Sequence, residues 1–312
     1  MYRFSAANDG NLAEVTRLVN AHEKSVNPDA SSMGESGVRQ LMSGYIDHAL
    51  GFAMRDPGSD RILAFVQSHP DANRGLYFPD IYCDPTAPGL ASVTAAAVDF
   101  LLDHTASANP DWALRPGMNT KDSLLAHTYA NRGFTFLRKF WSLTRPITEQ
   151  DRTPLERLIF GSGVEIRQIM DTPSDLELLH RLHQDAFSTH FGFKARDRDS
   201  WIALELARET REPAGNVFLL ADHEPVGFLL SANEMLHENG GYIDLLGIIH
   251  SAHGRGYGKS LLHWAIAYNA NLGREKVNLN VDTGNTSGAL QVYEKVGFRP
   301  YSAWQQYELK RG

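Results

Sequence analysis

The sequence predicts an α/β fold built twice in tandem, each copy a mixed central sheet flanked by helices. Three observations lead there. Short apolar strands alternate with helical runs along the whole chain. The order of those elements repeats at an offset of 164 residues, which aligns Arg3 with Arg167, Tyr129 with Tyr293 and Gly133-Phe134 with Gly297-Phe298. A glycine-rich turn at 253–258 lies between an apolar strand and a helix.

Each copy opens with a short strand and a helix whose apolar residues recur at helical spacing: Leu12, Val15, Leu18 and Val19 in the first, Leu176, Leu179, Leu182 and Phe187 in the second. A strand pair follows in both. In the first copy it is 50–54 and 62–66, turning at Asp56-Pro57-Gly58; in the second it is 217–221 and 226–230, turning at Asp222-His223-Glu224-Pro225. Next come a central strand, 76–83 or 242–249, and a long helix, 90–104 or 257–272. The polar stretch from Thr148 to Thr153, with Pro154 and Gly161-Ser162-Gly163 after it, reads as the joint. The expected domains are therefore 1–147 and 164–312, with a linker at 148–163.

The turn His253-Gly254-Arg255-Gly256-Tyr257-Gly258-Lys259 opens the long helix of the second copy. A helix start rich in glycine exposes unpaired N–H groups at the positive end of the helix dipole, so it is an anion cradle suited to a diphosphate. GxxxxGK[ST] spacing is absent, and Lys259 stands where the third glycine of GxGxxG would be, which argues against a P-loop and a dinucleotide site. At the same point the first copy has Asp84-Pro85-Thr86-Ala87-Pro88-Gly89-Leu90-Ala91: two prolines without an N–H and an aspartate that repels phosphate. The first copy is expected to be degenerate and structural, with Gly89 and Ala91 as the remnant, at most, of a weak coenzyme site.

The stretch from Tyr242 through Leu262, with Asn285-Thr286-Ser287-Gly288-Ala289-Leu290-Gln291-Val292-Tyr293 and Gly297-Phe298, resembles the Gcn5-related N-acetyltransferase (GNAT) superfamily. The family's acetyl-CoA loop is [RQ]xxGx[GA], and His253 stands where arginine or glutamine is usual. The resemblance implies an acetyltransferase of tandem-domain type, with acetyl-CoA as co-substrate, no metal, and direct transfer to the primary amine of a small molecule. It places coenzyme contacts at Leu246, Gly247, Ile248, His253, Gly254, Arg255, Gly256, Tyr257, Gly258, Lys259 and Asn285. Tyr293 takes the position of the acid that protonates the departing thiolate, although a helical tyrosine also serves as packing. Tyr242 holds the strand position where several members carry a glutamate. Asp244, two residues on and facing the same side by strand periodicity, is then the candidate base, acting through a water, or else an ordinary salt-bridged strand residue. Asn285 is expected to cap the helix that carries Tyr293. In the aromatic segment after the first helix of this copy, His190 and Phe193, together with Tyr242, are the candidate acceptor contacts. A CoA-binding sensor without turnover would keep the Gly256/Gly258 cradle and dispense with Tyr293 and a base.

Composition narrows the classes further. Of 312 residues, 42% are hydrophobic and 21% charged, as in a globular protein, and 30 Lys plus Arg against 37 Asp plus Glu give a net charge of −7, with no basic patch for nucleic acid. No stretch approaches the length of a membrane helix and the N-terminus lacks a signal-peptide core, so a cytoplasmic location is expected. The single cysteine, Cys83, excludes an internal disulfide and reads as a small buried hydrophobe. His250 and His253 lie three apart with no third ligand in view, so no metal is expected.

Overall fold

The computed structural model describes residues 2–30, 32–43, 50–208, 210–285 and 288–311. They form two compact units, Met1–Lys139 with Ser302–Gly312 and Phe140–Tyr301. The first contains β1 (Arg3–Ala6), α1 (Leu12–Val26), α2 (Glu35–Ser43), β2 (Leu50–Arg55), β3 (Ile62–Asp71), β4 (Leu76–Cys83), α3 (Leu90–Ala108), β5 (Ala113–Leu114), β6 (Gly117–Asn119), α4 (Ser123–Ala130) and the start of β7 (Thr135–Pro146). The second contains the rest of β7, then β8 (Val164–Gln168), α5 (Pro173–Phe187), α6 (Arg198–Ala207), β9 (Val217–Ala221), β10 (Glu224–Ala232), β11 (Gly240–Ile248), α7 (Tyr257–Asn271), β12 (Lys276–Asp282), α8 (Ala289–Val296) and the start of β13 (Arg299–Glu308).

Both sheets are mixed. In the first unit the order is β1-β2-β3-β4-β5, antiparallel except for the β4–β5 pair. In the second it is β7-β12-β11-β10-β9-β8, with β11 and β12 parallel. The strands read as continuous apolar runs because helices cover both faces. Along β3, Ile62 and Phe65 pack with Val15 and Val19 of α1, while Ala64 and Val66 pack with Val93 and Val98 of α3. Along β9 and β10, Leu219 and Leu229 meet the α7 side, and Phe218 and Phe228 meet the α5 side. Helix α1 buries Leu12, Val15, Leu18 and Val19, the stripe its spacing predicts; at about 1.5–3 kcal/mol per fully buried side chain, that face anchors the helix.

The units differ from the expected 1–147, 148–163 and 164–312. Residues 140–146 pair with β12, and the chain's last segment returns to the first unit, where Trp304–Gln306 pair with β6 and Leu309 bridges to Leu114. The sequence offset locates repeated elements but is blind to which sheet a long strand finishes in. The expected linker is not free chain either: it holds short 3-10 turns at Glu149–Asp151 and Leu155–Arg157, and Arg152 donates to the Ala270 carbonyl at the end of α7 (2.9 Å). Among the described residues, no helix is long and apolar enough to cross a membrane.

Candidate active site

The site grows from an interrupted strand pairing. β11 pairs with β12 only from Gly240↔Lys276 to Ile243↔Leu279, although both strands run on, while its pairing with β10 continues to Ile248. Residues 244–248 therefore have no partner strand on the β12 side. A bulge in the β10 register, where Leu230 faces Leu245 and Ser231 faces Ile243, leaves Asp244 without a partner of its own. That extra residue resets the alternation: Ile243, Leu246 and Ile248 all pack on the α7 side, and Leu245 packs on the α5 side. Gly247 cannot carry a side chain, because a Cβ there would lie 2.6 Å from the Phe228 ring.

Beyond Ile248 a 3-10 turn, His250–Ala252, leads into the cradle. Gly254 and Gly256 hold φ of +77° and +83°, with nothing within 4 Å of where a Cβ would stand. Among the described residues, the N–H groups of Gly254, Arg255, Gly256, Tyr257 and Gly258 have no backbone partner; the first intrahelical bonds are those of Lys259 and Ser260 to the Gly256 carbonyl. Arg255 and Lys259 are exposed beside them. His253 turns back instead, its Nε2 2.8 Å from the Ile248 carbonyl oxygen. These groups suit a diphosphate, with open space for it at both glycines. The first unit also starts α3 from a left-handed glycine, Gly89, but Asp84 accepts from the Thr86 N–H and Oγ1, pairs with Arg61, and fills the turn with its own carboxylate.

Tyr293, on α8, joins Leu246, Ile248 and Tyr257 at the half-buried border of the α7-side core. Burial pushes its phenol up to about 12, so it carries its proton at neutral pH, and among the described residues its hydroxyl has no hydrogen-bond partner. Its counterpart Tyr129 is fully buried against Phe134 and Tyr307, its hydroxyl unpaired, which is a packing role. Asn285 does not cap α8. Gly288, at φ +79°, occupies the cap position and the helix starts four residues after Asn285, whose N–H donates to the Asp282 carbonyl. Thr286 and Ser287 of the matching segment lie outside the described residues.

Asp244 lies in a bidentate ion pair with Arg208, just after α6; Arg208 Nη2 to Asp244 Oδ1 is 2.9 Å, and Nη1 holds Oδ2. Both oxygens are occupied, so the salt-bridged reading of this residue fits better than that of a base. Tyr242 belongs to the same group. Burial first, then Glu234, Asp244 and Tyr301, push its phenol well above its ordinary value. Glu205 stands 3.8 Å from Arg208 and 3.7 Å from Arg211, and Glu234 stands 3.6 Å from Arg208. Both carboxyls are pushed up to about 7, mainly by burial, with Asp244 adding repulsion and Arg208 opposing it. The sequence reading missed Arg208, Glu205 and Glu234, which come from separate segments with no spacing signal.

His190 and Phe193 occupy the loop after α5. His190 packs edge-on against Phe187 (4.5 Å), and burial lowers its pKa, with Asp282 opposing and His250 and His253 adding to the fall. Phe193 joins His183, which also lies against Trp201 (4.9 Å). The two therefore face different neighbours, His190 the groups around the glycine turn and Phe193 the aromatic cluster. Among the described residues, no group of three or more His, Cys, Asp or Glu is placed to hold a metal.

An open strand edge thus leads into a glycine cradle, with a protonated phenol at its border. The family model "Acetyltransferase (GNAT) family" matches residues 176–298. The Salinispora tropica protein "Mycothiol acetyltransferase" is 33% identical over 183 residues, 55% of each chain, so the chain spans about half the length of that relative. A Mycobacterium leprae protein of the same name is 27% identical over 299 residues, 91% of this chain and 90% of the relative. A GCN5-related N-acetyltransferase from Sphaerobacter thermophilus has the same fold with a TM-score of 0.79 at 16% identity, covering 100% of this chain and 96% of that one. A tandem GNAT protein from the clavulanic acid biosynthesis pathway gives 0.71 at 12%, covering 100% and 99%. Residues 176–298 thus match the GNAT acetyltransferase family, and the whole chain shares the fold of tandem GNAT proteins.

Proposed function

We propose that the second unit transfers an acetyl group from acetyl-CoA to the primary amine of a small molecule by direct attack, and that the first unit is catalytically silent. One observation carries this reading: the strand edge 244–248, which lacks a partner strand on the β12 side, leads through the short turn His250–Ala252 into the N–H groups of 254–258, which have no backbone partner among the described residues. On it, the edge holds the pantetheine arm in the manner of an added strand, the cradle with Arg255 and Lys259 holds the diphosphate, and Tyr293 protonates the departing sulfur. His190, Phe193 and Tyr242 contribute to the acceptor side. The names of the relatives favour a particular acceptor, the amine of a cysteinyl pseudodisaccharide, which makes mycothiol synthesis the finer form of the proposal. Tyr242 in place of the glutamate expected there is this chain's departure from it.

The test is release of CoA thiol from acetyl-CoA across a panel containing cysteinyl-glucosaminyl-inositol, glucosamine, spermidine and 2-(methylthio)ethylamine, with acetyl-CoA affinity measured alongside. Amine-dependent release supports transfer. Tight binding with no release for any amine would instead identify a coenzyme sensor.

A further inference from the structure

Resting on the acetyl-transfer reading, we infer that Glu234, from the β10–β11 connection, is the group that takes the proton of the attacking amine. Three carboxylates surround Arg208, and their engagement separates them. Asp244 accepts from both terminal nitrogens of Arg208. Glu205 lies between Arg208 and Arg211 with its side chain only 8% exposed, out of a substrate's reach. Glu234 has Arg208 as its nearest cation at 3.6 Å, accepts no hydrogen bond among the described residues, and is 30% exposed. Its acceptor capacity is free and reachable. Tyr242, beside it on β11, holds its own proton too firmly to be the base.

The surrounding charges tune this role. Burial first, and then Asp244, push the Glu234 carboxyl up to about 7 against the smaller opposing effect of Arg208, a range in which it takes a proton in the reaction and returns it to water between turnovers. Glu205 from α6, Arg211 after it with its partner Asp171, Tyr242 and Asp244 from β11 and Tyr301 from β13 belong to the same cluster. The step balances: the amine nitrogen bonds to the acetyl carbon and gives a proton to Glu234, the carbon–sulfur bond breaks, and sulfur receives a proton from Tyr293. Water then reprotonates Tyr293 and removes the proton from Glu234.

The experiment is the pH profile of kcat/KM for 2-(methylthio)ethylamine, whose ammonium titrates well above 7, at saturating acetyl-CoA, for wild type, Glu234→Gln and Asp244→Asn. Wild type should show a limb near pH 7 in addition to that of the amine. Glu234→Gln should bind acetyl-CoA within about twofold of wild type, lose roughly 10² to 10⁴ in rate at pH 7, and keep only the amine's own limb. Asp244→Asn removes the repulsion and frees Arg208 toward Glu234, so its limb should move to lower pH. A folded Glu234→Gln with the wild-type limb, or an Asp244→Asn in which that limb disappears, overturns the assignment. A wild type that releases no thiol with any amine removes the transfer reading itself, and the inference falls with it.

Discussion

Replacing Gly256 with aspartate tests the cradle where the structure leaves least room for another account. The residue has φ +83° and open space around the missing Cβ, so no clash accompanies a side chain. Two effects remain. A left-handed conformation costs a non-glycine residue about 1–2 kcal/mol, which Gly256→Ala carries alone and which should lower Tm by about 2–4 °C in a protein this size. Aspartate adds a charge about 5 Å from a bound phosphate, worth about 3 kcal/mol at an effective dielectric of 20, or about 2 after screening at physiological salt. The Kd of Gly256→Asp for acetyl-CoA should therefore exceed that of Gly256→Ala by about 30-fold at 0.15 M salt, and the gap should narrow at 1 M. Calorimetric titration of both variants at both salt concentrations measures it. Equal affinities in two folded variants would refute diphosphate binding at this turn.

Tyr293→Phe should lower kcat by roughly 10² to 10⁴ with acetyl-CoA affinity retained, read from single-turnover kinetics; a rate within about threefold of wild type, with chemistry limiting, rejects the acid role. Tyr129→Phe should leave turnover unaltered and stability equal or higher, since its buried hydroxyl has no partner to lose; a fall in either would contradict the packing role. Burial pushes the Cys83 thiol up to about 12, so iodoacetamide at pH 8 should label it only after unfolding, as followed by mass spectrometry. Glu23 is pushed up to about 7 by burial and then by Asp80 and Asp122. The folded state thus binds the proton more tightly than the unfolded one, and the stability this gives is present below about 4.5 and lost as pH rises through about 7. Glu23→Gln should accordingly raise Tm at pH 8 and change it little at pH 4.

Much of the fold was legible because it is encoded in contiguous residues. Period-3.6 spacing put Leu12, Val15, Leu18 and Val19 on one face of α1, and these are the residues it buries. Alternating glycines at 254, 256 and 258 announced a helix start with exposed N–H groups, and among the described residues those of 254–258 have no backbone partner. Contacts between distant segments were decided only by tertiary structure. The 164-residue offset located the repeated elements but not that β7 and β13 finish in the other unit, since strand pairing joins residues such as Trp304 and Asn119 whose separation no local pattern records. Periodicity placed Asp244 beside Tyr242, but the partner that occupies its oxygens, Arg208, comes from the end of α6, 36 residues earlier. Glu234 reaches the same cluster from a third segment. Local periodicity and turn chemistry are properties of neighbours in sequence; the proton affinity of a carboxylate depends on burial and on nearby charges, and those exist only once the chain has folded.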